Sequence, residues 1–319
     1  MSAGDWAGSE LRPEDVHIDE TLVRGLIAEQ FPQWADLHVK PVDSQGMDNA
    51  TFRLGDEMSV RLPRYPRWEG QVAREQRWLP FLAERVPMQI SVPLALGRPG
   101  PGYPFSWSVY RWLEGENADP EGLTDLRETA TDLAEFIGAL WRIDSAGGPP
   151  PEWSNGFRGV DLADERDSPV VASRMRARIE ALDGLVDTDA VTAVWQTALD
   201  APRWDGPPVW IHGDPAPGNL LAVNGRLSAV IDFGTMAVGD PACDMIAAWQ
   251  FLDADTRAVF RSVLPVDDAT WARGRAWGLT GALPSRSDLT GDPARAAAAR
   301  RRLDALVTDH REDAVARRG

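Results

Sequence analysis

Apolar and polar residues follow two different patterns along the chain, and the change comes near residue 115. Before it, short alternating runs are separated by turn residues, which is typical of antiparallel strands. The predicted strands are residues 37–42, 50–54, 58–62, 92–96 and 106–113. Apolar residues at helical spacing predict helices over 18–31 and 70–85, and Pro80 inside the second can kink it. The first third therefore predicts a small sheet with two helices.

The remainder of the chain has mainly helical patterning. A long apolar stripe predicts a buried helix over residues 126–143. Further helices are predicted over residues 160–185, 188–199, 242–252, 255–264, 270–279 and 293–315, and short strands over 208–211, 220–223 and 227–231. The chain is thus predicted to be α+β, with an N-terminal domain over residues 1–113 and a mainly helical domain over 114–319.

The amino-acid composition limits the kinds of molecule that the protein is expected to bind. The 319 residues include 49 acidic and 33 basic side chains, a net charge of −16. This charge argues against binding to nucleic acid or to an anionic membrane. No apolar run reaches the roughly 18 residues of a membrane span, and the polar, acidic N-terminus lacks a signal-peptide pattern, so we expect a cytoplasmic protein. The single cysteine, Cys243, rules out an internal disulfide, and Lys40 is the only lysine.

Candidate chemistry is concentrated after two predicted strands. His212-Gly213-Asp214 precedes Asn219 by a few residues, and Asp232 follows in Ile-Asp-Phe-Gly. Carboxylate and carboxamide oxygens are ligands that Mg²⁺ takes when phosphate oxygens complete its shell. This set suggests phosphoryl transfer, with the remaining carboxylate accepting a hydroxyl proton. The alternative is turn chemistry, because Asp and Asn beside Gly and Pro often only cap loops.

These motifs resemble a known family. His-Gly-Asp-x4-Asn, then Ile-Asp-Phe-Gly, then Gly-Asp-Pro-Ala-Cys-Asp over residues 239–244 are similar to the motifs of aminoglycoside phosphotransferases. The resemblance implies a two-lobed protein-kinase-like fold, an antiparallel sheet lobe followed by a helical lobe, and a requirement for Mg²⁺ with ATP or GTP. It implies Asp214 as the catalytic base, His212 as organiser of the catalytic loop, and Asn219 and Asp232 as metal ligands. Asp240 and Asp244 are expected to buffer that loop or cap the next helix.

The resemblance also implies nucleotide-binding residues in the first domain. In a turn over the phosphates, these are Gly46, Met47, Asp48 and Asn49. In a hinge strand that contacts the base, they are Tyr110 and Trp112. Where the family often has lysine, this chain has Arg61, whose partner is expected to be Glu75, with Glu69 as the fallback. The alternative for Arg61 is a surface arginine on an edge strand. A second departure is Ala216, at a position where protein kinases carry lysine.

The sequence therefore predicts an ATP- or GTP-dependent enzyme that phosphorylates a hydroxyl of a small molecule, with an antibiotic as the leading substrate and resistance as the result. The acidic chain suits a cationic substrate, whereas 14 tryptophans suit a bulkier, partly apolar one. Acidic candidates for the substrate site are Glu114, Glu116, Asp119, Asp161, Asp164, Glu165 and Asp167. The alternatives are a kinase of choline, homoserine or a sugar, and an inactive kinase-like binding module.

Overall fold

A computed structural model describes residues 16–42, 48–164 and 169–316. These residues form two compact units. The first contains the described residues up to 84 together with 89–114 and 232–234, and the second contains 85–88, 115–231 and the described residues from 235 onward. No helix in the described ranges is long and apolar enough to cross a membrane.

The first unit is built on an antiparallel sheet. Its elements are α1 (Glu20–Gln30), β1 (Val39–Pro41), β2 (Asn49–Leu54), β3 (Met58–Pro63), α2 (Glu69–Ala83), β4 (Gln89–Ile90), β5 (Pro93–Gly97) and β6 (Trp107–Arg111). Five strands pair in the order β1-β2-β3-β6-β5. The helix α2 continues through Pro80.

Alternation along β3 separates the core from the candidate site. Val60 and Leu62 are fully buried in an apolar core that also includes Leu26 of α1 and Phe52 of β2. Since successive side chains of a strand point to opposite faces, Arg61 lies on the other face of the sheet. The apolar pattern thus orients the one basic side chain of β3 away from the core.

The second unit is mostly helical. Its strands are β7 (Glu116–Asn117), β8 (Val209–Ile211), β9 (Leu220–Val223), β10 (Arg226–Val230) and β11 (Ala237–Gly239). Its helices are α3 (Leu126–Arg142), α4 (Pro169–Glu180), α5 (Thr188–Asp200), α6 (Ile246–Gln250), α7 (Ala254–Val263), α8 (Asp268–Ala282), α9 (Arg286–Thr290) and α10 (Pro293–Ala316). Antiparallel pairing joins β8 to β11, and β9 to both β10 and β7.

Helix α8 lies at the centre of the second unit, and two of its glycines permit close packing. A Cβ at Gly274 would lie 2.4 Å from the Cβ of Met245, and one at Gly278 would lie 2.7 Å from the Trp249 ring. Between these two glycines, Arg275 is almost fully buried and donates from Nε to Asp309 Oδ2 at 2.7 Å. Because Asp309 lies on α10, this ion pair fixes the C-terminal helix to the centre of the unit.

The predicted fold class, an antiparallel sheet region followed by a helical region, is confirmed. The predicted helix over 160–185 is wrong at both ends, because α4 spans Pro169–Glu180 and residues 181–185 form turns. Residues 160–164 form turns, and the Asp161 side chain accepts the backbone N–H of Ala163 at 2.9 Å, a local bond that competes with helix formation. The helix over 242–252 divides into a 3-10 turn, Pro241–Met245, and α6. The elements β4, β7, β11 and α9 were not predicted.

Candidate active site

The turn after β8 requires glycine at position 213. Gly213 has a φ of +88°, and a Cβ there would lie 2.6 Å from the carbonyl oxygen of Thr235. A side chain would meet both a strained backbone and a rigid carbonyl. The His-Gly-Asp sequence is therefore a tight turn that leads from β8 directly to Asp214.

His212 is fully buried and connects two segments of the second unit. Its Nε2 lies 3.0 Å from the carbonyl oxygen of Ile231, and its Nδ1 accepts the backbone N–H of Asp214 at 3.1 Å. This pair of bonds assigns the ring proton to Nε2. His212 thus holds the backbone of the turn through both ring nitrogens.

Asp244 holds the same turn from the opposite side. Its Oδ1 accepts the N–H of Gly213 at 2.7 Å, and its Oδ2 accepts the N–H of His212 at 3.0 Å. Burial raises the pKa of Asp244 to about 7, although both hydrogen bonds and the charge of Arg158 act to lower it. Both carboxylate oxygens of Asp244 thus bind the backbone of the turn at residues 212–214.

The neighbouring acid has a different role. Asp240 caps the 3-10 turn by accepting the N–H of Ala242 at 2.9 Å, as predicted. It also forms a buried ion pair with Arg273, whose Nε lies 2.7 Å from Asp240 Oδ2. The same roles were predicted for Asp240 and Asp244 from the sequence. In the structure only Asp244 contacts the turn at His212.

Asp214 and Asn219 are brought together by the loop between β8 and β9. Asn219 ends the 3-10 turn Pro217–Asn219, and its Nδ2 donates to the carbonyl oxygen of Asp214 at 2.9 Å. The same nitrogen lies 3.5 Å from Asp214 Oδ2. Because the amide nitrogen bonds to the loop, the amide oxygen is the atom that Asn219 presents to a ligand. The Asp214 side chain is 34% exposed and therefore accessible to a substrate.

A further cation, Arg158, lies beside Asp214. Its Nη2 is 3.7 Å from Asp214 Oδ1. Sequence reasoning missed this residue, because Arg158 lies in a loop with no periodic pattern and is 56 positions from its partner in the numbering.

Arg61 joins two carboxylates of the first unit. Its Nη2 donates to Asp232 Oδ1 at 2.7 Å, and its Nη1 lies 3.5 Å from Glu75 Oε1. The edge-strand alternative is wrong, because β3 lies between β2 and β6. The fallback partner, Glu69, instead accepts the backbone N–H of Ser106 at 3.2 Å.

Glu75 is buried on α2. Burial raises its pKa, and the charge of Arg61 acts in the opposite direction. The hydroxyl of Tyr110 donates to Glu75 Oε2, and burial raises the pKa of this tyrosine as well. The Tyr110 side chain thus holds Glu75, whereas only its backbone remains for contact with a base.

Asp232 has a left-handed backbone, with φ +62°, which is uncommon for a residue other than glycine. Two residues later, a Cβ at Gly234 would lie 2.8 Å from the Gln71 side chain, and the Gly234 carbonyl accepts Arg74 Nη2 at 2.9 Å. Backbone strain of this kind is typical of functional sites.

The structure describes only some of the other residues predicted to bind the nucleotide. Gly46 and Met47 lie outside the described residues. Asn49 begins β2 and is buried, and the carbonyl of Asp48 accepts the N–H of Arg64 at 2.8 Å. Trp112 stacks with Arg53, whose guanidinium carbon lies 3.9 Å from the ring centroid.

Within the described ranges, no group of three or more His, Cys, Asp or Glu side chains is arranged to hold a metal ion. The oxygen donors that the sequence proposes, Asn219 and Asp232, would need phosphate oxygens or water to complete a metal shell.

The fold and these motifs define a phosphotransferase with a protein-kinase-like fold. The chain belongs to the phosphotransferase enzyme family, whose sequence model matches residues 38–277. This match confirms the prediction of a small-molecule phosphotransferase. A search of curated protein sequences found no match.

Solved structures share the fold at low identity. The GDP complex of wild-type aminoglycoside 2'-phosphotransferase-IIIa is 20% identical, with a TM-score of 0.66, over 92% of this chain and 100% of that chain. The streptomycin-ATP ternary complex of APH(2″)-IIa is 20% identical, with a TM-score of 0.54, over 84% and 88%. Macrolide 2'-phosphotransferase MphH from Brachybacterium faecium is 21% identical, with a TM-score of 0.56, over 88% and 96%.

Proposed function

We propose that this enzyme transfers the γ-phosphoryl group of ATP or GTP to a hydroxyl of an antibiotic and thereby inactivates it. The observation that carries the proposal is the arrangement of Asp214, an accessible carboxylate whose backbone is held by His212 and Asn219. In this proposal, residues 1–113 bind the nucleotide, and residues 114–319 carry the catalytic loop and the substrate site.

The transfer step assigns one role to Asp214. The substrate hydroxyl oxygen attacks the γ-phosphorus, and the bond from that phosphorus to the β–γ bridging oxygen breaks. The bonding electron pair stays on the bridging oxygen of the departing nucleoside diphosphate. The hydroxyl proton passes to Asp214, whose exposed carboxylate orients the hydroxyl for attack.

Nucleotide binding is assigned to the first unit. Arg61 contacts the α- and β-phosphates, Glu75 orients Arg61, and the segment 46–49 is assigned to phosphate contact. The backbone between Tyr110 and Trp112 reads the base edge, since the Tyr110 hydroxyl already donates to Glu75. Relatives crystallised with GDP and with ATP support a purine nucleotide as donor.

Mg²⁺ is the metal that the donor set fits, because the amide oxygen of Asn219 and the carboxylate of Asp232 are hard oxygen ligands. When bound, the ion neutralises charge on the phosphates. Asp232 Oδ1 already accepts Arg61 Nη2, so the same carboxylate can hold both the phosphate-binding arginine and the metal.

Several acidic residues that are candidates to bind a cationic substrate already lie beside arginines of the protein. Asp161 and Asp164 both lie near the guanidinium of Arg203, and Glu114 pairs with Arg53. Glu116 and Asp119 are exposed, whereas Glu165 and Asp167 lie outside the described residues. Charge complementarity to substrate amines therefore falls mainly to Glu116 and Asp119.

A nucleotide-consumption assay against hydroxylated antibiotics tests this function. The panel contains aminoglycosides and macrolides, with choline, homoserine and hexoses as metabolite acceptors, each with Mg-ATP and with Mg-GTP. We expect turnover on an antibiotic that Asp214→Ala abolishes and that Asp183→Ala, a change at an exposed carboxylate of the same unit, leaves intact. Turnover on a metabolite alone would reject the antibiotic assignment.

A further inference from the structure

The loop that carries Arg158 is built to hold one conformation. It begins with the 3-10 turn Trp153–Asn155, and the fully buried Asn155 donates from Nδ2 to the carbonyl of Pro150 at 2.9 Å. Phe157 has a φ of +57°, a strained backbone that persists only where the surroundings enforce it. The Gly159 carbonyl then accepts the N–H of Asp240 at 2.8 Å. The position of Arg158 is therefore fixed from both sides.

Arg158 directs unused donors toward the catalytic carboxylate. Its Nη2 lies 3.7 Å from Asp214 Oδ1, too far for a hydrogen bond but close enough for charge attraction. The guanidinium carbon lies 5.7 Å from the centroid of the Trp277 ring, which supports the side chain on one face. Across the described part of the chain, the guanidinium donates no hydrogen bond, and Asp214 is its one ion-pair partner. The side chain is 21% exposed, so it keeps access to solvent beside Asp214.

The catalytic loop itself supplies no cation. The segment from His212 to Asn219 contains no lysine or arginine, and Ala216 occupies the position where protein kinases carry lysine. Phosphoryl transfer develops charge on the oxygens of the transferred group, and enzymes stabilise that charge with fixed cations or metals. Among the residues of the second unit that the structure describes, Arg158 is the cation that forms an ion pair with Asp214.

We propose that Arg158 is a catalytic residue that donates hydrogen bonds to the non-bridging oxygens of the transferred phosphoryl group. The proposal rests on the phosphotransferase function assigned above. As the hydroxyl oxygen bonds to phosphorus and the bond to the bridging oxygen breaks, the guanidinium binds the phosphoryl oxygens while Asp214 takes the hydroxyl proton. Arg158 remains protonated throughout, because arginine does not lose its proton in proteins.

The test uses three variants of the full-length protein: Arg158→Ala, Arg158→Gln, and Arg158→Ala combined with Ala216→Lys. Arg158→Gln keeps a side chain over Trp277. It replaces the alanine variant in the test if that variant does not fold. Arg226→Ala is the matched control, an exposed arginine that pairs with Glu128. Two quantities are measured: hydrolysis of Mg-ATP and Mg-GTP with water as acceptor, and affinity for Mg-ADP with aluminium fluoride, which mimics the transferred group.

We expect Arg158→Ala and Arg158→Gln to lower kcat about 100- to 1,000-fold, with KM for nucleotide changed by less than about threefold. Affinity for the aluminium fluoride complex falls by a similar factor, whereas affinity for Mg-ADP alone is retained. Adding Ala216→Lys restores kcat about tenfold, because it returns a cation to the loop. Arg226→Ala matches the wild type in every measurement.

Two results would overturn the role of Arg158. The first is a wild-type kcat in both Arg158 variants. The second is a fall in kcat with unchanged affinity for the aluminium fluoride complex, which would make Arg158 only a positioning residue for Asp214. If water is a poor acceptor, the affinity measurement decides alone. A wild-type protein that binds no Mg-nucleotide would instead reject the proposed function itself.

Discussion

Gly213 donates its backbone N–H to Asp244 Oδ1 at 2.7 Å, so a fully buried carboxylate fixes the turn that leads to the proposed catalytic base. The same carboxylate accepts the N–H of His212, and the His212 ring in turn accepts the N–H of Asp214. Asp244 therefore acts on Asp214 through the backbone, without contact to the reacting atoms.

Removal of the Asp244 carboxylate should disrupt the turn. In Asp244→Ala, two buried backbone N–H groups lose their acceptors, and each unpaired group costs about 1–3 kcal/mol. We expect the free energy of unfolding to fall by about 2–5 kcal/mol and phosphotransfer to fall at least tenfold in the protein that remains folded. Urea unfolding and an activity assay below the unfolding transition measure both effects. Asp255→Ala, at an exposed acid of α7, is the control.

The raised pKa of Asp244 predicts a pH dependence of stability. Burial raises this pKa from 3.8 to about 7, so between these values the folded protein binds more protons at this site than the unfolded chain. The contribution of Asp244 to stability therefore falls as pH rises through this window, by at most about 1.4 kcal/mol per pH unit, and becomes constant above it. Urea unfolding at pH 5, 6, 7 and 8 checks this.

The comparison for that experiment is Asp244→Asn, which cannot titrate. The unfolding free energy of the wild type minus that of the variant should fall as pH rises to about 7 and then stay constant. A difference that is equal at all four pH values would show that the pKa of Asp244 is not raised.

Arg61 and Lys40 should differ in their effects on nucleotide affinity. Arg61 is 14% exposed and contacts Glu75 and Asp232, whereas Lys40 is exposed on the edge strand β1. We expect Arg61→Ala to weaken Mg-nucleotide binding about 10- to 100-fold and Lys40→Ala to leave it unchanged. Arg61→Lys should recover only part of the affinity, since an ammonium group is a compact point charge that lacks the planar, bidentate donor geometry of the guanidinium. Titration calorimetry measures the affinities, and the reverse order would place the phosphate-binding cation on β1.

The buried pair of Arg273 and Asp240 should matter for stability. Arg273 is 2% exposed and donates to both oxygens of Asp240, at 2.7 and 3.1 Å. Arg273→Ala leaves a buried carboxylate unpaired, which costs about 3–5 kcal/mol. Thermal unfolding should show a clearly lowered Tm, while Arg226→Ala, which removes an exposed pair, changes Tm little. An unchanged Tm in Arg273→Ala would show that this pair contributes nothing to stability.

The site residues that could be predicted from the sequence are those that lie in local sequence motifs. Asp214, Asn219 and Asp232 were proposed because they lie in motifs beside short apolar strands, and Arg61 because it occupies the position where the resembled family often has lysine. Motif spacing could not assign the hydrogen bonds of Asp244, since its partners lie 31 and 32 positions earlier and only the packing of the turn Pro241–Met245 brings them together.

Packing between residues that are distant in the sequence explains the other differences between the prediction and the structure. Arg158 reaches Asp214 through a loop whose conformation depends on the buried Asn155 and on a left-handed Phe157, neither of which has a periodic signature. The strands β7 and β11 contain only two and three residues, too few for alternation to show. The predicted helix start at Val160 was wrong because the side chain of Asp161 bonds to the local backbone instead.

In the proposed reaction, Asp214 accepts the proton of a substrate hydroxyl during phosphoryl transfer. The most direct measurement is single-turnover phosphotransfer from γ-labelled Mg-ATP or Mg-GTP to the antibiotic acceptor, with wild type and Asp214→Asn compared. We predict that Asp214→Asn binds the nucleotide with unchanged affinity but transfers label at least about 100-fold more slowly. Transfer at the wild-type rate in Asp214→Asn would show that Asp214 is not the proton acceptor.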